Sequence, residues 1–81
     1  MYINKRAVQQ QIRAWKSESG LGHLRKLQFT VDYRKHIVNV YCSRPGYLIG
    51  KGGKLINKYK NSMKVLGVKD IRLHEVEDIL I

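Results

Sequence analysis

The sequence predicts an α+β fold built on one three-stranded mixed sheet. Stretches 27–33, 36–42 and 68–76 alternate apolar and polar residues, which is the period of a half-buried strand. Stretches 3–16 and 54–66 instead repeat apolar residues at the spacing of a helix. A short helix is also predicted directly before the second long helix. The order of elements is therefore helix, strand, strand, helix, helix, strand. This order predicts three helices packed on one face of the sheet.

The charge balance points to an anionic partner. The 81 residues include 16 Lys and Arg against 6 Asp and Glu, for a formal net charge of +10. No acidic residue lies between Asp32 and Asp70, and an acidic tail begins at about residue 75. Such a basic balance is typical of proteins that bind nucleic acid or an anionic membrane surface. The length predicts one domain that covers residues 1–81.

Cysteine usage indicates the compartment. Cys42 is the single cysteine, so no internal disulfide can form, which fits a reducing environment. We therefore expect a cytoplasmic protein. An organellar matrix is the alternative, because the first seventeen residues are basic and free of acids, as in a transit peptide.

The first helix carries its apolar residues on one stripe. Val8, Ile12 and Trp15 follow each other at intervals of four and three residues. Asn4 is a suitable N-cap, and a break over residues 17–22, which contains Gly20 and Gly22, is expected to follow the helix after Lys16. We predict that the stripe packs in the core. The two alternatives are base stacking by Trp15 and membrane-surface binding, which requires the stripe to be exposed.

The first two strands predict an antiparallel hairpin. Only Arg34 and Lys35 separate them, and a polar connection this short brings consecutive strands side by side. In the second strand Val38, Val40 and Cys42 share one face. We expect that face to be buried, with the thiol packed as a small hydrophobic group.

A short helix and a long helix flank a turn rich in glycine. The short helix is predicted from Pro45 to Ile49, capped by Ser43 or Arg44, since proline suits the first helical turn. Gly67 lies where a left-handed glycine ends the long helix. The apolar arc of the long helix consists of Leu55, Ile56, Tyr59, Met63 and Leu66.

The turn Gly50–Gly53, called the glycine turn below, has the composition of a phosphate-binding loop. Glycine lets a ligand approach the backbone closely, and the free N–H groups that open the next helix attract anions. We expect these donors to be Gly52, Gly53 and Lys54. A P-loop is excluded because Gly52 stands where that motif needs Ser or Thr, and a dinucleotide fingerprint because Leu55 replaces its third glycine. The remaining pattern is a G-x-x-G clamp between two helices, which holds a nucleic-acid backbone.

These features together resemble a known family, the type II KH domain. The fixed positions of its clamp segment, Arg-Pro-Gly-x-x-Ile-Gly-Lys-x-Gly, are all matched by residues 44–53. The similarity is greatest to the KH domain of the third protein of the small ribosomal subunit, whose last strand and Glu-Val exit resemble residues 67–76. The resemblance covers essentially the whole chain. That ribosomal protein continues into a second domain, whereas this sequence stops at Ile81.

The resemblance implies that the chain holds about four unpaired RNA nucleotides in a groove beside the glycine turn. Lys51 would place a point charge at the tip. Ile49 would offer an apolar surface to a base, or pack in the core instead. The implied partners are single-stranded or ribosomal RNA and other ribonucleoprotein components, and the implied process is translation. No cofactor, metal, membrane or small-molecule substrate is expected. The expected RNA-binding residues are Arg44, Ile49, Gly50, Lys51, Gly52, Gly53, Lys54 and Lys58.

Two other functions stay open from the sequence. The chain would be a structural ribosomal or ribonucleoprotein component if its sheet and first helix contacted proteins and scattered charge held the RNA. It would be a stand-alone binder of single-stranded DNA or RNA if the clamp accepted both. An enzyme is not expected, since the three histidines have no metal-binding spacing with Cys42 or the acids, and no paired carboxylates lie near the turn.

Overall fold

The structure, a computed structural model, describes residues 3–20 and 27–76. The predicted order of helices and strands is confirmed, with a short 3-10 turn between the last two helices. Most of the predicted acidic tail, from residue 77 onward, lies outside the described residues, and the single domain over 1–81 stays a prediction. The elements are α1 (Lys5–Ser19), β1 (Gln28–Asp32), β2 (Ile37–Cys42), α2 (Pro45–Ile49), the 3-10 turn (Lys51–Gly53), α3 (Lys54–Lys64) and β3 (Asp70–Glu75).

Helix α1 begins at its predicted cap and ends later than predicted. The Asn4 side-chain oxygen accepts hydrogen bonds from the N–H groups of Arg6 and Ala7 at 3.0 and 3.3 Å, as an N-cap does. The last turn, Ser17–Ser19, extends the helix to Gly20, whose φ of 85° is left-handed. This turn contains no apolar residue, so the buried stripe alone did not predict it.

Helix α3 ends in a Schellman motif at the predicted glycine. Gly67 has a φ of 92°, and its N–H donates to the Lys64 carbonyl at 3.0 Å. The N–H of Val68 donates to the Met63 carbonyl at 3.1 Å, which completes the pair of bonds typical of this motif. Regular α-helix stops two residues before the predicted end, because the N–H of Leu66 bonds three residues back rather than four.

The sheet has the strand order β1-β2-β3, with β1 antiparallel and β3 parallel to the central strand β2. Phe29 pairs with Val40 in the predicted hairpin, and Val38 pairs with Ile71. Val38, Val40 and Cys42 are buried, as their alternation predicts. Because β2 and β3 are parallel, both strands begin at one edge of the sheet and end at the opposite edge. The glycine turn comes after the end of β2, at that opposite edge.

The buried core joins the helices to one face of the sheet. Trp15 is fully buried and stacks on Tyr59 with 5.4 Å between ring centroids, so base stacking by this indole is ruled out. Val8 and Ile12 are buried too, and α1 therefore offers no apolar stripe to a membrane surface. None of the helices in the two described ranges has the length and apolarity to span a bilayer. The core consists of Ile3, Val8, Ile12, Trp15, Val38, Val40, Cys42, Leu48, Tyr59, Met63, Val68 and Ile71.

Candidate nucleic-acid interface

Helix α2 is positioned by core packing rather than by a side-chain cap. Leu48 is fully buried, and its carbonyl oxygen accepts a 2.9 Å hydrogen bond from Nε1 of Trp15. Arg44 occupies the N-cap position, but its side chain forms no capping hydrogen bond. The Ser43 hydroxyl is buried and has no partner in the described part of the chain. The prediction of a side-chain cap at either residue was therefore wrong.

The glycine turn adopts a path that only glycine follows without strain. Gly50, Gly52 and Gly53 have φ angles of 76°, 64° and 77°. At Gly50 a side chain would also clash, because an added Cβ would lie 2.7 Å from the Cβ of Leu55. At Gly52 nothing lies within 4 Å of an added Cβ. The tip of the turn is therefore open to a ligand, while its base is packed against α3.

The turn leaves two backbone donors unused. The N–H of Gly53 donates to the Gly50 carbonyl at 3.2 Å, and the N–H of Lys54 donates to the Lys51 carbonyl. These two N–H groups are thus committed, contrary to the prediction that they face a phosphate. The N–H groups of Lys51 and Gly52 have no acceptor among the described residues. The free donors lie at the tip of the turn, one residue earlier than predicted.

The charges around the turn are positive. Arg44, Lys51 and Lys54 are exposed, and none of their side chains forms an ion pair within residues 3–20 and 27–76. Helix α3 starts directly after the turn and has no acidic residue in its first turn. Its positive dipole end therefore adds to the three side-chain charges.

Lys58 differs from the other predicted residues because its ammonium group already has a partner. Its Nζ lies 2.8 and 3.0 Å from the two carboxylate oxygens of Glu18 and 5.5 Å from the ring centroid of Tyr59. The Tyr59 hydroxyl donates to the same carboxylate at 2.7 Å. The pair ties α3 to the end of α1. Sequence patterns of local spacing could not predict this ion pair, because Glu18 and Lys58 are 40 residues apart.

The carboxylate and the phenol have shifted pKa values. The hydrogen bond from Lys58, followed by that from Tyr59, lowers the pKa of Glu18 below its ordinary value. Burial, followed by the bond to Glu18, raises the pKa of Tyr59 to about 12. At neutral pH the carboxylate is thus charged and the phenol is protonated, which is the state that this cluster of hydrogen bonds requires.

Apolar side chains are exposed near the edge of the sheet that the glycine turn follows. Ile49 is 39% exposed, so it is not a core residue. It ends α2, which packs against β3. Val76 follows β3, is 42% exposed, and donates its N–H to the Cys42 carbonyl at 3.0 Å. Tyr47 is 51% exposed and was not among the predicted site residues.

The described ranges contain no cluster of potential metal ligands. They contain no set of three or more His, Cys, Asp or Glu side chains arranged to hold a metal ion. Burial raises the pKa of the Cys42 thiol, which keeps this group protonated in the core.

Comparison with known proteins identifies the class to which this fold and this turn belong. The chain belongs to the KH domain family, since the family model for the KH domain matches residues 5–78. The order of elements and the mixed sheet are those of the type II form, as the sequence predicted. KH domains are RNA-binding modules whose G-x-x-G loop contacts the nucleic-acid backbone.

A curated relative narrows the comparison. The small ribosomal subunit protein uS3 of Magnetococcus marinus is 33% identical to this chain over 67 residues. The match covers 82% of this chain and 32% of the relative, so the chain spans about a third of that protein's length. No solved structure matches the chain significantly.

Proposed function

We propose that this KH domain binds single-stranded RNA by holding its phosphate backbone on the glycine turn. The observation that carries the proposal is the pair of free N–H groups at Lys51 and Gly52, which lie at the tip of the turn. Open space at Gly52 lets a phosphate approach them. Two N–H donors at the start of a helix form a favourable site for an anion.

The other predicted residues take roles around this contact. Gly50 and Gly53 set the path of the turn, while the side chains of Lys51 and Lys54 supply mobile positive charge. Arg44 lies one residue before α2, and its exposed side chain flanks the expected path of the backbone. None of these cations has to leave an ion pair within the described residues before it contacts RNA.

The proposed RNA contacts of Ile49 and Lys58 depend on the surroundings of these two residues. Ile49 offers an exposed apolar surface beside the turn, which suits contact with an unpaired base. The ammonium group of Lys58 already lies 2.8 Å from the Glu18 carboxylate. It can contact a phosphate only if it gives up this ion pair. We therefore expect Lys58 to contribute less to RNA affinity than Lys51 does.

The relative suggests the setting in which the RNA is bound. Its name places it in the small ribosomal subunit, and we propose a similar ribosome-associated role for this chain. Ribosomal RNA and neighbouring ribonucleoprotein components would then be its partners, the cytoplasm its location and translation its process. The chemistry proposed for the turn is binding without catalysis.

Fluorescence anisotropy with a labelled eight-nucleotide single-stranded RNA tests the proposal. The variant Lys51→Asp with Gly52→Asp adds negative charge at the two free donors. The control variant, Lys5→Asp with Gln9→Asp, changes the net charge equally on exposed positions of α1. Both variants are first shown to be folded by circular dichroism.

We expect the turn variant to lose most binding and the α1 variant to keep most of it. For about four phosphate contacts, the logarithm of wild-type affinity should fall with the logarithm of salt concentration at a slope near −3. Equal losses in the two variants would contradict the proposal, as would equal wild-type binding to single strands and to duplex. Either result would instead favour binding by scattered charge, as in a structural component.

A further inference from the structure

A second group of cations lies at the sheet edge opposite the glycine turn. Two connections meet there: the β1–β2 turn, residues 33–36, and the α3–β3 loop, residues 65–69. They precede the parallel strands β2 and β3, so both lie at the edge where these strands begin. Helix α3 runs from the glycine turn to this edge.

Hydrogen bonds hold these two connections together. The N–H of Lys69 donates to the His36 carbonyl at 2.7 Å. Nδ1 of His36 lies 3.3 Å from the Gly67 carbonyl, and because a carbonyl only accepts, this nitrogen is the donor. Within the β1–β2 turn, the Asp32 carboxylate accepts from the N–H of Lys35 at 3.1 Å. The backbone that carries the cations is therefore fixed on both sides.

The fixed backbone borders an open depression whose lining includes two lysines. Its volume is about 530 Å³. Lys64 and Lys69 are exposed, and neither ammonium has an ion-pair partner in the part of the chain that the structure describes. We call Lys64 and Lys69 the end cluster. The depression is lined by His36, Lys64, Gly67, Val68 and Lys69.

The acids near the end cluster are already engaged. Asp32 accepts from two backbone N–H groups of its own turn. Asp70 accepts from the N–H of Ile71 at 2.9 Å and lies 3.5 Å from Nζ of Lys60. Arg34 and Lys35 on the adjoining turn are exposed and add further positive charge. The five Lys and Arg side chains of this edge, at positions 34, 35, 60, 64 and 69, outnumber its two acids, so its net charge is positive, which suits a phosphate.

We propose that the end cluster binds phosphates of the same RNA strand that the glycine turn clamps. This inference rests on the function proposed above and extends it to a second contact. The 11 residues of α3 separate the two sites by about 16 Å along the helix. At the rise of about 3.4 Å per nucleotide of a strand stacked as in a duplex, this separation corresponds to about five nucleotides, and a more extended strand needs fewer. With about four nucleotides at the clamp, a strand of about nine reaches both sites.

The test compares single-stranded RNAs of 5 and 12 nucleotides with the same base composition. The end-cluster variant is Lys64→Gln with Lys69→Gln. The control is Arg13→Gln with Lys16→Gln, which removes the same charge from α1, a helix whose hydrogen bonds and ring stacking with α3 among the described residues involve Lys58 and Tyr59. The turn variant Lys51→Asp with Gly52→Asp is measured in parallel, and anisotropy is recorded at several salt concentrations.

We expect the end-cluster variant to bind the 5-nucleotide RNA like wild type and the 12-nucleotide RNA on the order of tenfold more weakly. Losing two phosphate contacts should also reduce the magnitude of the salt slope for the longer RNA by about 1.4. The second site is overturned if the variant weakens both lengths equally, or weakens the longer RNA no more than the α1 control does.

The two proposals fail in different arms of this experiment. If the turn variant binds the 5-nucleotide RNA like wild type, the clamp fails. In that case the end cluster is supported only if its own variant binds the 12-nucleotide RNA more weakly than wild type and the α1 control do. If it does not, the end cluster is overturned.

Discussion

The indole Nε1 of Trp15 donates a 2.9 Å hydrogen bond to the carbonyl oxygen of Leu48. Both residues are fully buried, and the bond joins α1 to α2 two residues before Gly50. The first helix, which carries none of the proposed RNA contacts, therefore fixes where the glycine turn begins. This explains how a helix of five residues is held without a side-chain cap.

Replacing Trp15 by Phe should destabilise the protein by about 1–3 kcal/mol from the lost hydrogen bond alone, because the buried Leu48 carbonyl is left without its donor. The smaller ring also leaves a gap in the core, which adds to the loss. Urea denaturation measures the effect. Ile12→Val, which removes one methylene from the same stripe, serves as the control and should cost about 1 kcal/mol. A Trp15→Phe loss no larger than the control's would show that the hydrogen bond contributes nothing.

Gly50→Ala should destabilise the protein by about 3 kcal/mol. Gly50 combines a φ of 76° with a ψ of 176°, a conformation that costs an L-residue roughly 1–3 kcal/mol, and the new methyl group would meet the Cβ of Leu55 at 2.7 Å. Gly46→Ala, in α2 with open space around its Cβ, should be neutral or slightly stabilising. Thermal and urea unfolding of both variants check this contrast, and similar stabilities for the two would mean that the turn differs from this structure.

Acid should remove the stabilisation that Glu18 contributes. Its pKa is lowered in the folded protein, so the contribution is complete above its ordinary pKa of 4.5 and is lost as the pH falls through the lower folded-state value. The unfolding free energy of wild type should exceed that of Glu18→Gln at pH 7, and this excess should shrink below pH 4.5. The difference is expected to be small because both side chains are partly exposed.

Urea denaturation of wild type and Glu18→Gln between pH 7 and pH 3 provides that measurement. Glu75→Gln is the matched control, since Glu75 is exposed and makes no ion pair among the described residues. A constant difference between wild type and Glu18→Gln over this pH range would refute the assignment.

Glu18→Gln should also strengthen RNA binding severalfold if Lys58 lies on the RNA path. The substitution frees the Lys58 ammonium from the partner that it contacts at 2.8 Å, so one more phosphate can be neutralised. Salt-dependent anisotropy should then show a slope steeper by about 0.7 than that of wild type. The double variant Glu18→Gln with Lys58→Gln is the control, because it also removes the ammonium that the first change frees. A slope as steep in the double variant as in Glu18→Gln would remove Lys58 from the RNA-binding set.

Local pattern predicted most of the fold because each element carries its own signal. The stripe of α1, the alternation of β2 and the glycine that ends α3 were read from neighbouring residues and are confirmed. The exact ends of the helices depended on weaker features, such as the polar last turn of α1, Ser17–Ser19. Burial of Cys42 followed from alternation alone.

The parts of the site that were not predicted depend on contacts between distant segments. Glu18 reaches Lys58 across 40 residues, and no spacing rule connects them. The hydrogen bonds inside the glycine turn commit the N–H groups of Gly53 and Lys54, a detail set by dihedral angles that the composition leaves open. The sequence therefore predicted which loop to examine, while the structure indicated which of its donors are free.

An amide chemical-shift titration with a short single-stranded RNA tests the clamp most directly. In ¹H–¹⁵N spectra, we expect the largest shifts at the N–H groups of Lys51 and Gly52, because these free donors would gain a phosphate acceptor. The amides of Gly53 and Lys54, which keep their bonds within the turn, should shift less. Shifts that spread over basic surfaces while Lys51 and Gly52 stay unchanged would contradict the account.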